Sequence, residues 1–376
     1  MTVRGGGSDS TELEPKVLIV YLGSPTTGGT VRAVVHLAEA LSRLSRVTVA
    51  TYRNDGLFAA SALSVHPLGE APAANTLESS PAIGIFHAPT LLRLLFKIRR
   101  AARRNPNALI LPFLTGSALV TLAATIGLPN RVIVCERNDV SAQPFGWHVR
   151  LLRLILYPRA AAITVNSQSP AALTLLQHVS RGRPVFSVPN FPPRGMLRSN
   201  PESSDLILLV GRLSSQKGHS IFLEAFAKVR SRLPSWNVTI LGDGPLRSEL
   251  EGFARDYKLE DVVTFTGHVD DPRPFYASAG LFVLPSLYEG TSNALQEALK
   301  AGLPCIASKG ALPLGAEDFI LSFPTGSVDH LADCLTHACT SDDLRRSNGE
   351  AALRWAEGLT EDASLMAWKQ ALSLRL

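Results

Sequence analysis

Two basic side chains in the second half of the chain lie where a predicted strand is followed by a helix. Arg212 and Lys217 fall within residues 211–218, which begin and end with glycine and follow the apolar run 206–210. Fixed cations and free backbone N–H groups at a helix N-terminus together suit a diphosphate. The segment departs from the P-loop pattern, so the alternative interpretation is a surface loop with solvated charges.

Two carboxylates lie on either side of a later predicted helix start. Glu289 precedes Gly290 and Thr291, whose backbone N–H groups would lie at the N-terminus of that helix, and Glu297 lies about a turn inside it. A carboxylate can accept two hydroxyl hydrogen bonds, as the vicinal diol of a sugar supplies. The alternative for Glu297 is an ion pair with Lys300 on the helix surface.

Glycines mark two further turns between a strand and a helix. Residues 241–245 contain Gly242 and Gly244 directly before a proline, and residues 28–30 begin with two glycines after the first predicted strand. Glycine lets a ligand approach the backbone closely, and Gly29 could present its N–H group to the same phosphate from the other half of the chain. A tight turn without a ligand is the alternative at both places.

The elements that must position these residues alternate along the chain. We predict strands at residues 16–22, 47–52, 108–113, 131–135 and 161–166, with helices at 31–44, 90–104, 117–126 and 147–157. The pattern restarts with strands at 206–210, 237–241, 262–266, 281–284 and 304–308, and helices at 220–233, 245–257 and 292–301. This alternation predicts an α/β protein with two tandem Rossmann-like, doubly wound parallel-sheet domains and a ligand cleft between them.

Shifts in composition suggest the domain boundaries. We expect a disordered lead over residues 1–15, a first domain over 16–190, a linker over 191–205, a second domain over 206–360, and a C-terminal helix over 361–376 that packs back on the first domain. The lead is polar and has no apolar core of a signal peptide. The uncharged stretch 108–128 contains Pro112 and Gly116, so a strand, a loop and a buried helix explain it better than a transmembrane helix.

Composition and charge exclude several classes of protein. With 45% hydrophobic and 18% charged residues the chain can bury a normal core, and its four cysteines form no CxxC pair, which argues against a disulfide scaffold or zinc site. Residues 1–190 carry 19 Lys and Arg against 9 Asp and Glu, whereas residues 191–376 carry 18 against 23. The basic half therefore calls for an anionic partner.

Part of this positive charge lies on one predicted helix. Its cations are Arg93, Lys97, Arg99, Arg100, Arg103 and Arg104. One interpretation is a sheet-covering helix with a solvated face, and the other is docking on an anionic membrane surface. Nucleic acid is disfavoured as a partner, because the cations lack interleaved aromatic residues for base stacking.

Taken together, these motifs resemble the family 4 glycosyltransferases, which have the GT-B fold. Residues 28–29, 211–218, 242–245 and 289–297 occur in the order and spacing of that family, and the resemblance covers residues 16–308. Residues 136–139, with the sequence Glu-Arg-Asn-Asp, further resemble a subgroup that builds bacterial surface polysaccharides and lipid-linked oligosaccharides.

The resemblance implies a role for each residue. Arg212 and Lys217 would bind the diphosphate of a nucleotide-sugar donor, Glu297 the ribose hydroxyls, and Glu289 the transferred sugar. The remaining donor-side positions would be Gly29, Gly211, Gly244, His268, Gly290 and Thr291, with His268 near the nucleobase. The first domain would hold the acceptor, and the enzyme would be cytoplasmic or peripheral on the inner membrane.

The sequence departs from the family pattern on the acceptor side. Many members have a histidine after the strand that corresponds to residues 108–113, and this chain has none there. Glu136, Arg137 and Asn138 are our candidates for that wall of the cleft, and His87 is an alternative.

No DxD sequence occurs, so we expect a transfer that needs neither metal nor cofactor, and the resemblance implies that the transfer retains the anomeric configuration. A UDP-sugar is favoured over a GDP-sugar by the subgroup resemblance. The competing functions are a nucleotide-sugar epimerase of the same architecture and a catalytically inactive sugar-binding scaffold.

Overall fold

The computed structural model describes residues 16–22, 29–43, 45–51, 64–68 and 88–372. The predicted disordered lead, Gly28 and His87 lie outside the described residues.

The first half of the chain forms a parallel sheet with helices on both faces. Its strands are β1 (Lys16–Tyr21), β2 (Arg46–Thr51), β3 (Ser64–Pro67), β4 (Leu109–Phe113), β5 (Arg131–Glu136), β6 (Ala162–Val165) and β7 (Val185–Ser187). Its helices are α1 (Gly29–Ser42), α2 (Ala88–Arg104), α3 (Thr115–Ala124), α4 (Trp147–Leu156) and α5 (Pro170–Ser180). In the described part the strand order is β3-β2-β1-β4-β5-β6-β7, and every pair is parallel.

The second half repeats this plan. Its strands are β8 (Leu206–Val210), β9 (Asn237–Leu241), β10 (Val263–Gly267), β11 (Leu281–Leu284), β12 (Cys305–Ser308) and β13 (Leu321–Phe323). Its helices are α6 (His219–Val229), α7 (Arg247–Asp256), α8 (Arg273–Ser278), α9 (Asn293–Lys300), α10 (Val328–Cys339), α11 (Asp342–Glu357) and α12 (Glu361–Leu372). These strands pair in parallel in the order β10-β9-β8-β11-β12-β13.

Both sheets reverse their strand order beside the first strand. In the first sheet β1 lies between β2 and β4, and in the second β8 lies between β9 and β11. The chain connections leave to opposite sides at such a point and open a crevice outside the carboxyl ends of the strands. The segments that follow β8 and β11 therefore converge at the carboxyl edge of the second sheet.

The strands read as continuous apolar runs because both faces of each sheet are covered. All five residues of β4 are buried, for example, as expected for a parallel sheet between two layers of helices. One face of the first sheet is covered by α2, α3, α4 and α5. The other is covered by α1 and by the last helix, α12, whose Trp368 stacks on Phe113 with 6.3 Å between the ring centroids.

The predicted fold class of two Rossmann-like parallel sheets is confirmed. The prediction missed β3, α5, β7, α8, β13, α10 and α11, most of which are short or have weak apolar periodicity. The uncharged stretch of the first half forms β4 and the buried helix α3. In the described part of the chain, no helix has both the length and the apolar character that crossing a bilayer requires.

Candidate functional site

The predicted cation Lys217 and the predicted carboxylate Glu289 meet at the carboxyl edge of the second sheet. The Lys217 Nζ atom lies 2.5 Å from Glu289 Oε1, and both side chains are largely buried. Lys217 ends a short 3-10 turn after β8, and Glu289 lies in the segment after β11. Because β8 and β11 are neighbouring strands, the two segments are brought together by the sheet itself.

The backbone around this ion pair is held by three connecting segments. Leu287 donates its N–H group to Gln216 O at 2.7 Å, and the Gln216 side chain donates in turn to Tyr288 O at 2.9 Å. The Glu289 N–H group donates to Gly310 O at 3.0 Å. These bonds fix the position of Glu289 relative to Lys217 before any ligand binds.

The glycines of residues 211–218 and 241–245 allow two turns to pack backbone against backbone. A Cβ atom on Gly244 would lie 2.4 Å from Leu213 O, and one on Gly242 would lie 2.0 Å from Gly211 O. Gly242 also has a φ angle of +131°, which side-chain-bearing residues rarely adopt. Tight packing of the two turns therefore accounts for glycine at these positions. The exposed side chain of Arg212 extends from the first of the turns.

Glu297 is buried on α9, and both of its carboxylate oxygens are engaged. Oε1 accepts a hydrogen bond from Arg32 NH1 at 2.7 Å, and Oε2 accepts one from Tyr276 OH at 2.8 Å. Burial next to this carboxylate raises the pKa of Tyr276 well above its ordinary value, so the phenol remains a donor. Lys300 donates to Pro193 O instead, so the surface ion pair considered for Glu297 does not form.

The N-termini of α1 and α9 face each other between the two halves. Asn293, the first residue of α9, donates from Nδ2 to Gly29 O at 3.0 Å. A Cβ atom on Gly29 would lie 2.8 Å from the same Asn293 nitrogen. Asn190 donates to Asn293 Oδ1 at 2.6 Å and to Thr291 O at 3.0 Å. Gly29 and Thr291, predicted from separate halves, thus lie within one polar cluster.

Arg137 is the acceptor-side candidate that reaches this cluster. Its NH2 atom donates to Asn190 Oδ1, and its NH1 atom has no partner among the described residues. Burial lowers the pKa of Arg137 to about 10. A Cβ atom on Gly290 would lie 2.9 Å from Arg137 O and 2.2 Å from Asn166 Oδ1, so the first half approaches Gly290 too closely for any side chain.

Glu136 has a different position from the one predicted. It accepts hydrogen bonds from Thr115 Oγ1, at 2.9 Å to each oxygen, and from Tyr157 OH, and it lies 3.6 Å from Arg153 NH2. This buried network ties β5 to α3 and α4 inside the first half. In this structure Glu136 is therefore not on an open wall of the cleft, whereas the neighbouring Asn138 is half-buried.

A cavity of about 280 Å³ lies between the two halves and is lined by both. Glu297 and Asn293 line it from α9, Arg32 and His36 from α1, and residues 270–273 from the segment after β10. His268 lies just before that segment with its side chain half exposed, and its Nε2 atom is 3.8 Å from Asp270 Oδ1.

Sequence reasoning missed Arg32 and His36. Burial lowers the pKa of His36, which keeps the imidazole neutral near pH 7. Their spacing of one helical turn, soon after Gly29 on an otherwise apolar helix, was the available signal. In the part of the chain that the structure describes, no cluster of His, Cys, Asp or Glu could hold a metal ion.

Comparisons with known proteins agree with this architecture. Residues 204–341 match the family described as glycosyl transferases group 1. Over 279 residues, 73% of this chain and 74% of the relative, the chain is 28% identical to the Campylobacter jejuni enzyme named GalNAc-α-(1→4)-GalNAc-α-(1→3)-diNAcBac-PP-undecaprenol α-1,4-N-acetyl-D-galactosaminyltransferase. It is 24% identical over 372 residues to the amylovoran biosynthesis glycosyltransferase AmsD of Erwinia amylovora, covering 95% and 99% of the two chains.

Solved structures show the same fold over nearly the whole chain. Sucrose-phosphate synthase of Thermosynechococcus elongatus superposes with a TM-score of 0.79 at 20% identity, covering 96% of this chain and 99% of the other. HepE of Anabaena, in complex with UDP and glucose, superposes with a TM-score of 0.77 at 18% identity, covering 95% and 99%.

The chain is therefore a glycosyltransferase with the GT-B fold. Within it, residues 204–341 form a glycosyltransferase group 1 domain, which carries Arg212, Lys217, Glu289 and Glu297. The predicted resemblance and the predicted enzyme class are confirmed, and neither the epimerase nor the inactive scaffold is favoured.

Proposed function

We propose that the protein transfers a sugar from a nucleotide-diphosphate sugar to a lipid-linked or polysaccharide acceptor in the synthesis of a cell-envelope glycan. The observation that carries this proposal is the arrangement around the N-terminus of α9: the Lys217–Glu289 ion pair lies just before this helix, and Glu297 within it is bonded to Arg32 of α1. Relatives named for galactosaminyl transfer to an undecaprenyl-diphosphate glycan and for amylovoran biosynthesis support this class of acceptor. UDP and glucose in the HepE complex support a UDP-sugar as donor.

Donor binding follows from the charges of the second half. Arg212 is exposed to solvent, and Lys217 is paired with Glu289. Together they would neutralise the diphosphate, with the N-terminus of α9 contributing its partial positive charge. Glu289 would then exchange its bond to Lys217 for a hydroxyl of the transferred sugar. The base would lie towards His268 and residues 270–273.

The ribose would bind at Glu297. Tyr276 donates to Oε2 from within the second half, whereas Arg32 donates to Oε1 from the first half. An ionised carboxylate has about four lone-pair sites, so a ribose diol can bond Glu297 while Tyr276 keeps its bond to Oε2. We therefore place the ribose hydroxyls where the Arg32 guanidinium now lies, with Tyr276 retained as the support of the carboxylate.

The proposed reaction retains the anomeric configuration and needs no metal. The acceptor hydroxyl attacks the anomeric carbon from the face that the diphosphate leaves, and a donor phosphate oxygen takes the hydroxyl proton. The negative charge that develops on the diphosphate is stabilised by Arg212, Lys217 and the α9 N-terminus. Loss of one such preorganised group typically lowers the rate by about 10²–10³-fold. Arg137 and Asn138 are our proposed contacts on the acceptor side.

A lipid-linked acceptor requires access to a membrane surface, which α2 would favour. Arg93, Arg100, Arg103 and Arg104 are exposed on this helix. Two other cations also bind within the protein: Lys97 donates to Leu68 O, and Arg99 donates to Ala124 O and Ile126 O, each at 2.8 Å. The exposed set would attract anionic lipid at the cytoplasmic face of the inner membrane, at about 1 kcal/mol per cation near the surface.

A thermal-shift panel of nucleoside diphosphates and their sugars tests the donor site. We expect UDP to raise the melting temperature by mass action, and Lys217→Ala or Glu297→Gln to remove most of that shift. Lys228→Ala is the matched control. Lys228 is an exposed lysine on α6, away from the cavity, and it pairs with Asp329 of α10.

Three outcomes would contradict the proposal. They are a panel in which no nucleotide raises the melting temperature, a Lys217→Ala variant with the full UDP shift, and donor converted to an epimer without acceptor. The anomeric configuration of the product, read by NMR coupling constants, tests the retaining route separately.

A further inference from the structure

Helix α4 has apolar residues on both sides, and one line of large apolar side chains faces solvent. Its buried residues include Val149, Leu156 and the charged Arg153, while three large apolar side chains are exposed. These three are Trp147 (76% exposed), Leu151 (47%) and Ile155 (57%). They are spaced by one helical turn and so form a continuous line, which we call the α4 ridge. Isolated exposed apolar residues are common, but a contiguous patch marks an interaction surface.

The buried arginine fixes this orientation of the helix. Arg153 donates from NH2 to Thr115 Oγ1 at 2.8 Å and lies 3.6 Å from Glu136 Oε1. Its guanidinium also lies over the ring of Phe145, 4.4 Å from the centroid. Rotating α4 to bury the ridge would expel this charge from its partners, so the outward ridge is a built feature of the first half.

A second helix on the same face of the sheet also exposes large apolar side chains. On α2, Leu92 and Phe96 are spaced by one turn and are both exposed. Helices α2 and α4 pack on either side of α3 over the same face of the sheet, so their outer surfaces face the same side. Both helices follow strands of a parallel sheet and therefore begin at its carboxyl edge. Trp147, the first residue of α4, and Leu92, the fifth residue of α2, thus lie towards the cleft end.

The exposed charge within residues 88–190 has a single sign. In residues 88–190, all described by the structure, the only carboxylates are Glu136 and Asp139, and both are buried. The half-buried or exposed cations of the same range are Arg93, Lys97, Arg99, Arg100, Arg103, Arg104, Arg131, Arg150, Arg159, Arg181 and Arg183. A second copy of this surface would bring like charges together, whereas an anionic bilayer matches both the charge and the apolar ridge.

We propose that the α4 ridge, with Leu92 and Phe96, inserts into the interfacial region of an anionic bilayer. The inference rests on the proposed membrane partner and deepens it, because it adds apolar insertion to electrostatic attraction. Trp147 suits the headgroup level, where tryptophan is enriched in membrane proteins. Insertion at this place would hold the cleft end of the first half against the membrane and bring the head of a lipid-linked acceptor to the cleft rim.

The fluorescence of Trp147 can report insertion of the ridge directly. Trp236 and Trp368 are buried and Trp355 is half-buried, so the most exposed indole lies on the ridge. We expect phosphatidylglycerol-containing vesicles to shift the emission to the blue and brominated lipid to quench it, and Trp147→Phe to remove both effects. Leu151→Ser combined with Ile155→Ser should lower vesicle partitioning at least about tenfold, because the inserted apolar area is lost.

Controls keep folding and donor binding separate from insertion. Met366→Ser changes a single exposed apolar residue on α12, away from the ridge, and should leave partitioning unchanged. The double variant should keep the UDP-induced thermal shift of the parent chain. A protein that binds vesicles through the ridge but binds no nucleotide would contradict the proposed transfer and leave the insertion standing.

Two results would overturn the insertion itself. One is vesicle binding that the double variant leaves intact while Arg93→Gln combined with Arg100→Gln abolishes it, which means adsorption by charge alone. The other is a parent chain that is dimeric in light scattering without lipid and becomes monomeric in the double variant, which makes the ridge a protein interface.

Discussion

The carboxylate of Glu297 binds one residue from each half of the chain. Its Oε2 atom is held by Tyr276 from its own half, and its Oε1 atom by Arg32 from the other. The Arg32 side chain is partly exposed, and such an ion pair contributes only about 0–1 kcal/mol. A ligand that offers two hydroxyl donors can therefore displace Arg32 at small cost.

Removal of Arg32 tests whether the ribose competes with the Arg32 guanidinium for Glu297. If the ribose replaces the guanidinium, Arg32→Ala should tighten UDP binding by roughly two- to fivefold, as expected from losing a partly exposed ion pair. Isothermal titration calorimetry with UDP measures the change. Arg43→Ala, which removes an exposed arginine just after the same helix, should leave the affinity unchanged. Weaker binding in Arg32→Ala would mean that Arg32 contacts the donor itself.

At the scale of elements, the donor-site scaffold depends on two turns that pack without side chains between them. Leu213 donates to Asp243 O at 3.0 Å and accepts from Leu246 N at 3.1 Å. Gly244 lies against the backbone of Leu213, so the position of residues 211–218 depends on it. Arg212 and Lys217 therefore take their positions from a turn in another connection of the sheet.

Two glycine substitutions on neighbouring segments should change the free energy of unfolding in opposite directions. Gly244→Ala places a methyl group against Leu213 O and should destabilise the protein by about 1–3 kcal/mol through overpacking, with weaker UDP binding. Gly252→Ala lies inside α7, where the new Cβ meets only Arg255 NH2 at 3.7 Å, and should stabilise by about 0.5–1 kcal/mol. Urea unfolding measures both. A Gly244→Ala variant as stable as the parent would contradict the close packing.

For the whole molecule, the last helix joins the end of the chain to the first sheet. Trp368, Ala371 and Leu372 of α12 are buried in the core that β1, β4 and α1 share. Ser364 on the same helix donates to Asn190 O at 3.0 Å, and Asn190 bonds Asn293 and Thr291 of the second half. The last helix therefore contacts, through Asn190, the residues that join the two halves.

Truncation of Trp368 tests how much α12 contributes to the stability of the protein. Trp368→Ala removes a buried ring stacked on Phe113 and should cost about 3–5 kcal/mol of unfolding free energy. Met366→Ala, on the exposed side of α12, should change stability by no more than about 0.5 kcal/mol. Denaturation followed by circular dichroism reports both. Equal stability of the two variants would show that α12 contributes little to the first core.

The sequence alone was sufficient for the alternation of strands and helices, the two-sheet fold class and the segments that carry Lys217, Glu289 and Glu297. These features depend on local periodicity and on residue types at the ends of strands. The Lys217–Glu289 ion pair itself came from the folded sheet, in which β8 and β11 are neighbouring strands.

The contacts between residues of the two halves could be found only in the folded structure. Arg32 and Glu297 are 265 positions apart in sequence, and no local pattern links them. The same holds for the buried hydrogen bonds of Glu136 with Thr115 and Tyr157. It holds also for the exposure of the α4 ridge on a helix whose Arg153 is buried and bonded to Thr115. Such contacts depend on how whole layers pack, because burial is a property of the assembled core and not of a segment.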